Sequence, residues 1–265
     1  MFSKLISVIG AVVMVLSISA EAHAASTIST GVRWSCSSAS ARGYCGPFDF
    51  ISGYPSASVI QNDWDAGSGD VTALDVNSPG DWQSVLNKAA GLGYPDAEQP
   101  VNDVPTTDYN TLISNYSENG NYNKNTVAEA AYDIWLVDPG HTAADRSGEN
   151  GYWELMIWED NHGMVPAPGN DRIKEVNVGG VEYWLWVKNP SLTDGITDGY
   201  IAFVRVSNAR SGTLHLVDFL NYLRGVYYPN DVQYSQWDFG WEVHSTGNLL
   251  EGFQCKILNW SVKAS

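Results

Sequence analysis

Three short segments each set one carboxylate among aromatic and aliphatic residues: AYDIWLV (131–137), GYWELMIWED (151–160) and FGWEVHS (239–245). Read as strands, they alternate between two faces. In the second segment Trp153, Leu155 and Ile157 share one face, and Tyr152, Glu154, Met156 and Trp158 share the other. The first set is apolar and suits a core. The second puts an acid among large amphipathic side chains and suits the floor of a cleft. The same parity gives Tyr132, Ile134 and Leu136 to the core and leaves Asp133 and Trp135 opposite. In the third segment Trp241 and Val243 are the core pair, and Gly240, Glu242 and His244 face away. If these strands share one sheet, Asp133, Glu154 and Glu242 converge.

An acid on the outer face of a strand is ordinarily just solvated. Here the company differs, because solvated faces seldom carry Trp and Met beside the acid. The chain holds 11 Trp and 14 Tyr, more than a core of this size requires. Exposed aromatic rings offer flat apolar faces with polar edges. Pyranose rings have the matching shape, so carbohydrate is the expected ligand class. Two carboxyls in a sugar-binding cleft suit glycoside hydrolysis. One must be ionised to attack the anomeric carbon, and the other must be protonated to serve the leaving oxygen. The neighbouring negative charge is expected to keep the acid protonated. Parity does not give the separation of the two, so retention and inversion both stay open.

The elements that must position these residues are strands. Period-two runs recur in VEYWLWV (181–187), YIAFVRV (200–206) and EGFQCKILNW (251–260), broken by Gly, Asn, Asp and Pro clusters. Numerous strands with few helical patterns predict a β-sandwich or jelly roll. One helix is expected in HLVDFLNYLRGVYY, where Leu216, Leu220, Leu223 and Tyr227 form an apolar stripe and Gly225 and Pro229 punctuate the end.

Residues 1–24 read as a secretory signal peptide: Lys4, an apolar run from Leu5 to Ile18, then Ala22-His23-Ala24. Residues 25–265 are expected to form one domain, since no linker or repeat divides them. The net charge of −16 argues against nucleic acid and anionic membranes and permits a neutral ligand. A secreted monomer is expected. Cys36 and Cys45 are expected to pair in an oxidising compartment, leaving Cys255 as a buried core thiol. His162 and His244 lack a second ligand at metal spacing, so no metal and no cofactor is expected.

With these residues in view, the chain resembles glycoside hydrolase family 12, secreted β-1,4-glucanases with a β-jelly-roll fold. YWELMIW is similar to the family's nucleophile strand, and WDFGWEVHSTG (237–247) to its acid/base strand. The resemblance implies an all-β sandwich of two antiparallel sheets with a concave substrate cleft and one α-helix on the convex side. It implies Glu154 as nucleophile, Glu242 as acid/base and Asp133 as an auxiliary carboxylate. It further implies substrate contacts from Asn62 and Trp64 in IQNDW, from Trp135, Met156 and Trp158, and from Pro166 in VPAPGN. The implied activity is retaining endo-hydrolysis of cellulose-like or mixed-linkage β-glucan. Xyloglucan specificity, a non-catalytic carbohydrate-binding jelly roll and a related xylanase are the competing readings. The chain departs from the family after ELMIW, where Glu159-Asp160-Asn161-His162 replace small or apolar residues and bear on the cleft's shape and charge. The loop 138–151 is longer than usual and is expected to be solvated.

Overall fold

In the computed structural model the described residues are 33–34, 43–63, 71–86, 93–139, 152–166, 171–188, 198–228, 231–247 and 253–265. The first strands are β1 (Arg33–Trp34), β2 (Gly43–Phe48), β3 (Ala57–Asp63), β4 (Val71–Ser78) and β5 (Asp81–Leu86). Then follow β6 (Gly93–Pro105), β7 (Leu112–Gly120), β8 (Thr126–Val137), β9 (Tyr152–His162) and β10 (Asp171–Val178). The remainder are β11 (Val181–Lys188), β12 (Asp198–Arg205), β13 (Ser211–His215), helix α1 (Leu216–Leu223), β14 (Gln233–Thr246) and β15 (Phe253–Ala264).

The strands form two sheets. The smaller runs β1-β4-β5-β15-β7-β13, and the larger runs β10-β11-β12-β9-β8-β14-β6-β3-β2. Period-two alternation gives each strand one apolar face, and the two apolar faces meet in one core. Trp153, Leu155 and Ile157 lie there, as do Tyr132, Ile134, Leu136, Trp241 and Val243. The core/cleft division expected from parity holds in all three acid-bearing strands. Cys255 is fully buried in the same core, and burial pushes its thiol well above the ordinary range.

The fold is the expected jelly roll, with two corrections. The larger sheet is mixed, because β12 pairs with β9 in parallel. The β10-β11 hairpin carries the chain outward and returns it beside β9 in the same direction. The helix is also shorter than its stripe. Leu216, Phe219, Leu220 and Leu223 are buried, each stabilising by roughly 1.5–3 kcal/mol. The helix stops at Leu223, because Gly225 takes φ +71°, a left-handed conformation suited to glycine. Tyr227 therefore packs on the core from the following turn. Phe219 meets Tyr183 and Phe203 edge to face, so α1 covers the convex side of the larger sheet.

Candidate active site

The site is built on the outer, concave face of the larger sheet. Register aligns its side chains in rows across the strands. Glu154 of β9 lies opposite Trp135 of β8 and Tyr200 of β12, and Tyr200 lies opposite Lys188 of β11. In the next row Asp133 of β8 stands between Met156 of β9 and Asp238 of β14, and Asp238 pairs onward with Glu98 of β6. Further along, Glu242 of β14 sits opposite Glu129 of β8. Asp133, Glu154 and Glu242 thus share one face, as alternation predicts.

Between the acids lies an apolar floor. Met156, Trp158, Ala131, Met164, Ala202 and Val204 form a cluster separate from the main core, with Trp184, Trp186 and Tyr200 packed against it. Met156 and Trp158 are only 3% and 1% exposed, so they build the floor rather than line an open surface. The Tyr200 hydroxyl and the Trp158 indole N–H both donate to the Met156 sulfur, at 3.1 and 3.4 Å. Trp135 is half-buried and donates its indole N–H to Asp238 at 3.2 Å, while the Gln236 amide donates to the same carboxylate at 2.7 Å. Gly240 lets β6 close on β14: a side-chain carbon there would lie 2.3 Å from the Pro95 carbonyl oxygen. That approach brings Tyr94 and Asp96 of β6 under the acids of β8 and β14.

The electrostatics of this face are those of crowded acids. Glu154 is half-buried. Burial first, and then the charge of Glu242, push its carboxyl up to about 7, with Lys188 pulling weakly the other way. Glu242 has its own company: His244 Nε2 lies 2.7 Å from Glu242 Oε1, and Glu129 stands directly opposite it across β8 and β14. Burial, followed by the charges of Glu154, Asp238, Asp96 and Glu129, holds Asp133 well above the usual carboxylate range.

The sequence profile of Glycosyl hydrolase family 12 matches residues 55–264. The chain belongs to this family. Solved structures agree on the fold of this family 12 chain. The xyloglucanase domain of NopAA from Sinorhizobium fredii, solved with cellobiose, aligns with a TM-score of 0.66 at 21% identity, covering 89% of this chain and 100% of that one. The family 12 xyloglucanase of Bacillus licheniformis gives 0.65 at 21%, covering 85% and 100%. The catalytic domain of Humicola grisea Cel12A gives 0.64 at 21%, covering 84% and 96%. Comparison with curated protein sequences returns no match. The protein is a family 12 glycoside hydrolase with a jelly-roll fold.

Several expected site residues fall outside this geometry. Trp64 lies outside the described residues, as do Cys36, the signal segment 1–24 and most of the loop 138–151. Asn62 and Cys45 are described by backbone alone, Asn62 opposite Tyr94 on β3. Pro166 is buried just past Met164, where Asn161 clamps the turn by accepting from the Met164 N–H at 2.9 Å.

The sequence leaves open how the segment Glu159–His162 bears on the cleft's shape and charge. By plain alternation Glu159 follows Leu155 and Ile157 onto the core face, and a β-bulge between the pairs Ala131–Trp158 and Ala130–Asp160 turns Asp160 inward as well. Glu159 is fully buried, ion-paired with Arg205 and hydrogen-bonded by the Tyr116 and Tyr183 hydroxyls. Asp160 accepts from the Tyr122 hydroxyl at 2.9 Å and lies beside Arg210 and His162.

Sequence reasoning missed Glu129 and Asp238. Both were findable, since Glu129 shares the parity of Asp133 and Trp135, and Asp238 that of Glu242. Extending the alternation two residues N-terminal in each strand gives them.

Proposed function

We propose that this family 12 hydrolase is an endo-acting β-1,4-glucanase that retains anomeric configuration. The observation that carries the reading is the pair Glu154 and Glu242. They stand on one concave face, electrostatically coupled, over an apolar and aromatic floor. Glu154 attacks the anomeric carbon as Glu242 protonates the departing glycosidic oxygen. The bond to the leaving sugar breaks and a covalent glycosyl–Glu154 ester forms. Water, deprotonated by Glu242, then opens the ester and returns the proton to Glu242.

This chemistry needs one proton on the pair, on Glu242 at the moment of attack. Asp133, held neutral beside Glu154, serves as a hydrogen-bond donor rather than a second charge. A retaining geometry requires the two carboxyls to stand about 5–5.5 Å apart with substrate bound. The half-buried Trp135 is the proposed sugar-stacking ring, with the buried Met156 and Trp158 as the floor that supports the site and Asn62, Trp64 and Pro166 as further proposed contributors.

Xyloglucan is the second reading, favoured by the description of the S. fredii and B. licheniformis relatives as xyloglucanases. The N-terminal segment supports secretion, and a monomer suffices for every step. The test is reducing-end release from soluble mixed-linkage β-glucan and from xyloglucan, wild type against Glu154→Gln. Cleavage lost in the variant supports the reading, and the better polymer assigns specificity. Binding without cleavage, unaffected by Glu154→Gln, points to a non-catalytic carbohydrate-binding protein.

A further inference from the structure

Glu129 is a buried acid of the cleft to which the mechanism gives no task. Glu129 is fully buried, and no hydroxyl or N–H reaches either of its oxygens among the described residues. Its neighbour is another carboxyl, that of Glu242, directly opposite on β14. Two carboxylates offer each other only acceptors, so they hydrogen-bond only when one carries a proton. A charge on Glu129 would be buried without a cation, at a cost that buried groups avoid by staying neutral.

We infer that Glu129 is a permanently protonated positioning residue of the acid/base centre, donating its carboxyl O–H to Glu242 and holding that side chain against His244. This rests on the hydrolase reading above, with Glu242 as acid/base. Glu242 is thereby clamped from two sides. One is a buried neutral acid, and the other is the imidazole of His244, whose side chain is 41% exposed and in contact with solvent. The proton on Glu129 stays in place through both steps, and the mobile proton enters and leaves Glu242 from the cleft and the His244 side. The donor stabilises the ionised Glu242 that each glycosylation step leaves behind.

The groups that face Glu129 are consistent with a neutral acid. They are Glu242 and His244 from β14, Glu154 from β9, Asp133 from its own strand, Tyr94 from β6 and Tyr200 from β12. Among them only His244 can bring a positive charge, and it lies on the far side of Glu242. Burial raises Glu129 well above the carboxylate range, followed by the charge and hydrogen bond of Glu242 and the charge of Glu154.

Two variants and one spectrum test this. Glu129→Leu removes the donor. The alkaline limb of its kcat/KM profile is expected to move up by about one pH unit, with kcat falling and KM nearly constant. Glu129→Gln restores a neutral donor in the same place, and is expected to return the limb to the wild-type position and recover most of the lost kcat. If Glu129 were ionised, Glu129→Gln would remove a negative charge and move the limb down, which would overturn the inference. An unchanged limb in Glu129→Leu would overturn it as well. Infrared difference spectra of ¹³C-glutamate-labelled protein at neutral pH, wild type minus Glu129→Gln, are expected to show a protonated carboxyl band. Its absence refutes the proton assignment even if Glu129→Leu fails to fold. The spectrum needs no turnover, so failure to cut any β-glucan defeats the functional reading while leaving the proton assignment to stand or fall by itself.

Discussion

The molecule buries acids in two regions and neutralises them differently. Between the sheets, Glu159 meets Arg205 and two tyrosine hydroxyls, and Asp160 meets Tyr122, Arg210 and His162. On the concave face Glu129, Asp133, Glu154 and Glu242 crowd together, with Lys188 the cation that acts on Glu154. The first region balances charge with guanidinium groups and phenols, and with one proton kept on Glu118 beside Asp160. The second balances it with protons held between carboxyls. Fixed partners make an acid structural, because its protonation state never needs to change. Shared protons leave an acid able to gain and lose one near neutral pH, as glycoside hydrolysis requires. Arg210 also stacks on Tyr122, which stacks on His162, so the inter-sheet region is locked by ring contacts as well.

The comparison breaks most visibly at Glu154. Glu154→Gln is expected to lower kcat on soluble β-glucan by about 10⁴-fold with the melting temperature barely changed. Assays with calorimetry on the same preparation check it. The converse holds between the sheets. Arg205→Met leaves Glu159 buried without its cation and is expected to cost about 3–5 kcal/mol, measured by denaturant unfolding. Activity per folded molecule is expected to stay near wild type. Equal losses of activity in both variants would erase the distinction between the regions.

The pH response separates the regions further. The proposed mechanism needs one proton on the Glu154–Glu242 pair, and Glu154 loses its own near 7. Activity is therefore expected to be present below about 7 and to fall about tenfold per unit above it, read from kcat/KM against pH. A smaller effect is expected at Glu118, buried beside Asp160 and raised from 4.5 to about 9 by burial and then by that neighbour's charge. The folded protein keeps this proton where the unfolded chain has released it. Its contribution to stability is whole below about 4.5 and is lost as pH rises toward 9. Glu118→Gln is expected to flatten the fall of melting temperature across that window.

Alternation along single strands was enough to read most of the cleft. The core faces around Trp153, Tyr132 and Trp241 followed from it, as did the shared face of Asp133, Glu154 and Glu242 and the burial of Cys255. What stayed hidden depends on partners from other strands. Glu129 matters because β8 and β14 set it against Glu242, a register that no local pattern encodes. The inward turn of Asp160 stayed hidden because a bulge carries no mark in the sequence, and the partners of Glu159 and Asp160 come from β7, β11, β12 and the segment before β13. The helix stripe overran its end because Tyr227 keeps the period after Gly225 has turned the chain.

The most direct test of the division between the regions is to trap the covalent intermediate. A 2-fluoro cellobioside with a good leaving group slows the second step more than the first and leaves the sugar on the nucleophile. Peptide mass spectrometry is expected to find that sugar on Glu154 alone. A label on Asp133, Glu242 or Glu129, or cleavage with inversion and no adduct, would contradict the role assigned to Glu154.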